Sequence, residues 1–248
     1  LNLLVPIAVG LGVVGLALSS SSSSSSSSGD KTSWRKVVYM FEGQPFTVLV
    51  LGDVSRDRAL VYFHGNGAHV EEIAPAIAVL MAKSKKPPMV ILPQLAPDGN
   101  FPPFKVLGGL SSLLKAVGAT GKKVDVVAHS GGYLAAANGL DGSSMKVSGI
   151  VLLDALYATA GVFGLRAQMG TRLVDVYGST TAAQSLALAG QLKMKLGEAA
   201  VEIADYGIGS TPLSKVALGK RATFVRSEVD HSQIPGRYLT EAIDALGA

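Results

Sequence analysis

A chain of 248 residues, 48% of them apolar, is long enough to fold around one large core. The formal charge is only +4, the charged fraction 16%, and no Lys/Arg cluster is interleaved with aromatics, so nucleic-acid binding has no footprint here. Cysteine is absent, which excludes a thiol nucleophile, thiolate metal sites and disulfides.

From Leu1 to Leu18 the chain is uncharged and rich in Leu, Val, Gly and Ala. It reads as the apolar region of a signal peptide or as a short membrane anchor. An uninterrupted serine run, Ser19 to Ser28, follows. Such a run has no apolar surface to bury and reads, through residue 30, as a flexible tether. Together they predict an exported, secreted or membrane-tethered protein, associated with the membrane through the N-terminal segment. The folded unit is expected over Lys31 to Ala248.

Trp34 to Met40 and Phe46 to Leu51 read as strands joined by a turn at Glu42-Gly43-Gln44. Ala59 to Phe63 is an apolar strand running into His64-Gly65-Asn66-Gly67. Glu71 to Lys83 has helical spacing, with Ile73, Ile77, Val79 and Leu80 on its apolar surface. Met89 to Leu92 reads as a strand, Leu107 to Val117 as a helix and Lys123 to Val127 as a strand. Gly131 to Gly139 is predicted helical, Val147 to Leu153 a strand ending at Asp154, and Leu173 to Tyr177 another strand. The Ala/Leu-rich stretch from Thr181 to Ala204 reads as one long helix. Ala222 to Val225 is the last expected strand, followed by His231 and a helix from about Arg237 to Leu246. Alternating apolar strands and helices predict an α/β fold with a mainly parallel sheet flanked by helices and no large separate cap.

Within that pattern, the strand in VDVVAHSGGY stops at Ser130, with Ala128 and Gly132 two residues away on either side. Small residues there suit a tight turn that holds a serine hydroxyl on strained backbone. Such a hydroxyl needs a base, a carboxylate to orient that base, and donors for the developing oxyanion. Only four histidines exist. His129 precedes the serine and is expected to point elsewhere, while His64 and His69 belong to the Gly-rich turn region. His231, in SEVDHSQIP beyond the last strand, is the candidate base. Asp154, at the end of GIVLLD, is the leading acid, with Asp175, Glu228 and Asp230 as alternatives. The oxyanion donors expected are the Gly131 N–H and the Asn66 N–H, with the Asn66 side-chain amide as a secondary candidate.

The strand, HGNG, the later AHSGG elbow, the strand-end Asp154 and the late His231 resemble the α/β-hydrolase superfamily, in the order nucleophile, acid, histidine. The likeness runs from Trp34 to the C-terminus, with Ala128 where the commonest family form has glycine. It implies a triad of Ser130, Asp154 and His231 in an esterase- or lipase-like enzyme. Many family members carry the acid after the next strand, but here that strand leads into GSTTAAQS, which has no carboxylate. The resemblance therefore supports the earlier-strand variant known from some lipases.

The expected activity is cleavage of carboxylic esters, thioesters included, through an acyl-enzyme on Ser130. An amidase or peptidase would use the same triad, and a non-catalytic binding protein could keep the same fold. The partner expected is a small-molecule or lipid-like acyl substrate. No cofactor is implied: GNGAH lacks dinucleotide-binding glycine spacing, and no HExxH-like spacing suggests a metal. The loop from Pro97 to Phe104, with Phe101, Pro102, Pro103 and Phe104, is a candidate acyl-pocket wall or ordinary loop packing.

Overall fold

The computed structural model describes residues 17–18, 34–141, 143–206, 213–217 and 219–247. Apart from Ala17 and Leu18, the apolar N-terminal segment and the serine run lie outside the described residues. No helix among the described residues is long and apolar enough to cross a membrane.

The chain enters the sheet through Ala17–Leu18 (β1), Trp34–Phe41 (β2) and Gln44–Leu51 (β3), which pair antiparallel. Glu42 and Gly43 both have positive φ (48° and 76°), the backbone that a two-residue hairpin turn requires. From there the sheet is built of Arg58–Phe63 (β4), Met89–Pro93 (β5), Lys123–His129 (β6), Gly149–Leu153 (β7), Arg172–Tyr177 (β8), Val201–Tyr206 (β9) and Ala222–Ser227 (β10). The strand order is β1-β2-β3-β5-β4-β6-β7-β8-β10-β9, parallel from β5 onward. The chain steps from β4 outward to β5, then returns to place β6 on the other side of β4. That reversal opens a crevice at the C-terminal ends of β4 and β6, where ligands bind in such sheets.

Helices cover both faces because the buried strands are apolar on both. One face packs against Gly109–Ala116 (α2), Tyr133–Asp141 (α3), Ala160–Gln168 (α4) and Ala182–Leu196 (α5). The other carries Val70–Ala82 (α1), Leu213–Val216 (α6) and Ile234–Leu246 (α7). Strand alternation sorts the side chains: on β6, Val124, Val126 and Ala128 face the first layer and Val127 the second.

Several elements differ from the sequence reading. The long helix expected from Thr181 to Ala204 stops at Leu196, because Gly197 (φ 90°, ψ 153°) leaves helical geometry, and Val201–Tyr206 forms an edge strand beside β10. Val79, expected on the apolar face of α1, is 57% exposed; Val70, Ala74, Ile77 and Met81 make the buried stripe instead. Helix α2 begins only after Gly108 (φ 80°), leaving Leu107 in solvent. In keeping with the expected lack of a large separate cap, the segment after Asp154 folds into α4, which packs on α3, α5 and β8.

The Phe101–Phe104 loop is core, not pocket wall. Both phenylalanines are buried, 4.9 Å apart, with Phe101 against Tyr39 and Phe46 and Phe104 against Phe63. Burying each ring contributes roughly 1.5–3 kcal/mol and anchors the loop that runs past the sheet edge.

Candidate active site

Strand β6 delivers Ser130 into left-handed backbone, at φ 52°. A non-glycine residue there is strained and persists only where its surroundings hold it. Here the surroundings are close-fitting glycines. A Cβ on Gly132 would lie 2.4 Å from the Phe63 carbonyl oxygen and 2.7 Å from that of His64, so only glycine lets the elbow press against β4. A Cβ on Gly65 would stand 3.1 Å from Ser130 Cβ. The small residues of the motif thus serve the approach of the elbow to the turn after β4.

That turn is held by His64. Its ring is buried; Nδ1–H donates to the Gly65 carbonyl (2.8 Å) and Nε2 accepts the Leu95 N–H (3.1 Å). A carbonyl only accepts and an N–H only donates, so these bonds fix a neutral tautomer. Burial depresses its pKa as well. His64 is therefore a brace of the Gly-rich turn, and His69 is an exposed residue at the start of α1. Asn66 is exposed, and its side-chain oxygen packs so tightly on Gly131 that a Cβ there would sit 1.7 Å away. Asn66 and Gly131, the two expected donors, are thus brought side by side across the β4–β6 crevice.

Strand β7 ends at Asp154, also at positive φ (47°), with its N–H on the Val176 carbonyl (2.6 Å). Its Oδ2 lies 2.7 Å from His231 Nδ1. The other oxygen, Oδ1, accepts the Gly178 N–H (2.9 Å) and the Thr181 hydroxyl. Burial alone would raise this carboxyl, but the hydrogen bonds from Thr181, His231 and Gly178 outweigh it and hold the pKa below its ordinary value. Asp154 is thereby kept ionised, as a partner of His231 Nδ1–H must be.

The alternative acids are placed elsewhere. Asp175 is fully buried on β8 with neither oxygen hydrogen-bonded, and Ser185 on α5 is its polar neighbour. Burial pushes its carboxyl up to about 7. Glu228 and Asp230 line a cavity of about 290 Å³ beside Asp154 and His231, together with Ser179, Thr180 and Arg226. Neither carboxylate bonds the His231 ring, whose Nδ1 is taken by Asp154.

Among the described residues no hydrogen bond joins Ser130 to His231. The Tyr157 hydroxyl, three residues beyond Asp154, is a polar neighbour of the Ser130 side chain, and the Tyr157 ring lies 5.9 Å from that of Tyr133. Burial and the nearby Asp154 charge raise the Tyr157 pKa, so the phenol keeps its proton.

Two neighbours escaped the sequence reading. Tyr157 carries no local signal, since its approach to Ser130 depends on the loop path after β7. His129, expected to point away, lies against His231: the rings stack at 4.9 Å and 28°, and His129 Nε2 is 3.2 Å from the His231 carbonyl. Strand alternation carried that signal. His129 follows Val127 onto the face covered by α7, and His231 opens the three-residue turn His231–Gln233 that leads into α7. Among the described residues no group of three or more His, Cys, Asp or Glu side chains could hold a metal ion.

Neither a family model nor a curated protein matches the chain. Solved structures do. An esterase from Pyrococcus furiosus superposes with a TM-score of 0.56 at 11% identity, covering 87% of this chain and 91% of that one. A Pyrobaculum calidifontis esterase gives 0.54 at 18% identity, covering 86% and 84%. Carboxyl esterase 2 from Tuber melanosporum gives 0.53 at 12% identity, covering 89% and 88%. The chain has the α/β-hydrolase fold. Within that fold, the HGNG turn, Ser130, Asp154 and His231 all lie along one edge of the sheet, beyond the C-terminal ends of parallel strands.

Proposed function

We propose that the protein is a serine hydrolase that cleaves carboxylic esters, thioesters included, through an acyl-enzyme on Ser130. The observation that carries this reading is the His231 Nδ1–Asp154 Oδ2 contact of 2.7 Å, at the sheet edge where Ser130 occupies strained backbone. Asp154 fixes the His231 tautomer with the proton on Nδ1, which leaves Nε2 free as a base.

In this mechanism Ser130 Oγ attacks the carbonyl carbon while its proton passes to His231 Nε2. The N–H groups of Asn66 and Gly131 stabilise the tetrahedral oxyanion, each worth about 3 kcal/mol. Collapse breaks the ester bond, and His231 protonates the departing alcohol. Water then gives a proton to His231 as it attacks the acyl carbon. Release of the carboxylic acid returns the proton to Ser130. The esterase neighbours share the fold and favour an ester over an amide as substrate.

The test is reaction with a fluorophosphonate probe, with the adduct located by mass spectrometry, and parallel assays on short-chain esters and amides. An adduct on Ser130 and loss of ester turnover in Ser130→Ala are expected. Folded protein that is not labelled at Ser130, or an alanine variant that retains its rate, overturns the reading. Amide turnover exceeding ester turnover would reassign the substrate while keeping the triad.

A further inference from the structure

His231 is placed by few contacts. Its side chain is 41% exposed, it begins the short turn His231–Gln233 ahead of α7, and among the described residues its ring has one side-chain hydrogen bond, to Asp154. One bond at Nδ1 leaves a half-exposed ring free to swing about that contact. A displacement of about 1 Å in a catalytic group can cost on the order of a hundredfold in rate. The second constraint comes from His129.

We propose that His129 is a positioning residue for His231: it anchors the backbone of the base through Nε2–H and backs the imidazole with a stacked neutral ring. This rests on the reading of His231 as the base. The His231 carbonyl can only accept, so the hydrogen bond at 3.2 Å puts a proton on His129 Nε2. The stacking, at 4.9 Å and 28°, covers one face of the His231 ring. On its other side His129 meets the oxyanion turn: a Cβ on Gly65 would lie 3.6 Å from His129 Nδ1. His129 is therefore wedged between the turn that supplies the oxyanion donor and the loop that supplies the base, and it sets their spacing.

The ring must be uncharged to do this. When His231 takes the Ser130 proton it becomes a cation, which a neutral aromatic face attracts and a second imidazolium repels. Burial, and then the neighbouring His231, push the His129 pKa down to about 4, so His129 stays neutral while His231 cycles.

The test compares His129→Ala, His129→Phe and His129→Gln on a short-chain ester, together with the low-field proton NMR line of His231 Nδ1–H in its bond to Asp154. His129→Ala is expected to lower kcat on the order of thirtyfold with KM unchanged, and to broaden or abolish that line. Phe keeps a stacked ring and Gln keeps a donor, so each is expected to restore part of both readouts. A wild-type kcat in His129→Ala, or a loss of kcat with an unchanged NMR line, overturns the proposal. If alanine unfolds the protein, Phe and Gln decide, because they fill the volume: wild-type rates and lines in both overturn it. His231→Ala separates the two readings. Wild-type turnover there would refute His231 as the base, whatever the His129 variants do.

Discussion

Thr181, the residue that precedes α5, donates its hydroxyl to the Asp154 carboxylate that His231 engages from the other side. With the Gly178 N–H it occupies Oδ1 and leaves Oδ2 to the histidine. Both donors come from the segment after β8. The carboxylate directly follows β7, and the next strand end supplies hydrogen bonds that hold it. GSTTAAQS thus contributes hydrogen-bond donors to Asp154 in place of a carboxylate.

Thr181→Val keeps the volume and removes the O–H. The folded pKa of Asp154 lies below its unfolded value. Its stabilising contribution is therefore present above the unfolded pKa and lost as pH falls through the folded one. Removing the Thr181 bond raises the folded pKa and diminishes that contribution. We expect about 1–3 kcal/mol lower stability at neutral pH, and acid-side losses of activity and stability that begin at higher pH. Thermal melts and pH–rate profiles of the two proteins check this. Coincident acid limbs would show that Thr181 does not tune the carboxylate.

Gly131→Ala tests the fit between the elbow and the oxyanion turn. The new methyl would overlap the Asn66 side-chain oxygen at 1.7 Å, so that side chain must leave its place against the elbow, which disturbs the turn carrying the Asn66 N–H. Loss of one oxyanion donor costs on the order of a hundredfold in kcat. Because the clash is with a side chain, adding Asn66→Ala should recover part of the loss, a coupling that a double-mutant cycle measures. A double variant no better than Gly131→Ala alone would place the damage in the backbone of the elbow instead.

Asp175→Asn addresses the buried carboxyl on β8. Its pKa rises from 3.8 to about 7 on folding, so the neutral acid favours the folded state. That contribution is complete below the unfolded pKa and is lost as pH climbs through the folded value near 7. The asparagine variant cannot ionise. It should match the wild type near pH 4 and exceed it near pH 8 by roughly 2 kcal/mol, within a ceiling of about 4 kcal/mol set by the shift. Denaturation midpoints at the two pH values measure the difference. Equal midpoints at pH 8 would mean that the native structure solvates this carboxylate.

Much of the architecture was legible because its causes are local. Apolar runs of four to seven residues bounded by Gly and polar turns announced most of the central strands. Ser130 among Ala128, Gly131 and Gly132 announced the elbow, because crowding there leaves room only for small side chains. The edge strand β9 was hidden by an Ala/Leu-rich lead-in, and Gly197 was the breaker that separated helix from strand. Phe101 and Phe104 looked equally suited to a pocket or a core, since hydrophobicity alone does not say which side of a layer a loop turns toward.

The sequence by itself determined the parallel α/β framework, the turn that strains Ser130, and the order in which serine, acid and histidine occur along the chain. These follow from hydrophobic periodicity and from steric limits on a few backbone angles, both of which act over a handful of residues. Only the tertiary structure decided that Asp154 rather than Asp175 meets His231, across 77 positions of sequence, and that Thr181 and Gly178 hold it. It alone set His129 against His231 and Tyr157 beside Ser130. Such pairings depend on which strand lies next to which and on which face each side chain leaves, and that is settled when the sheet assembles.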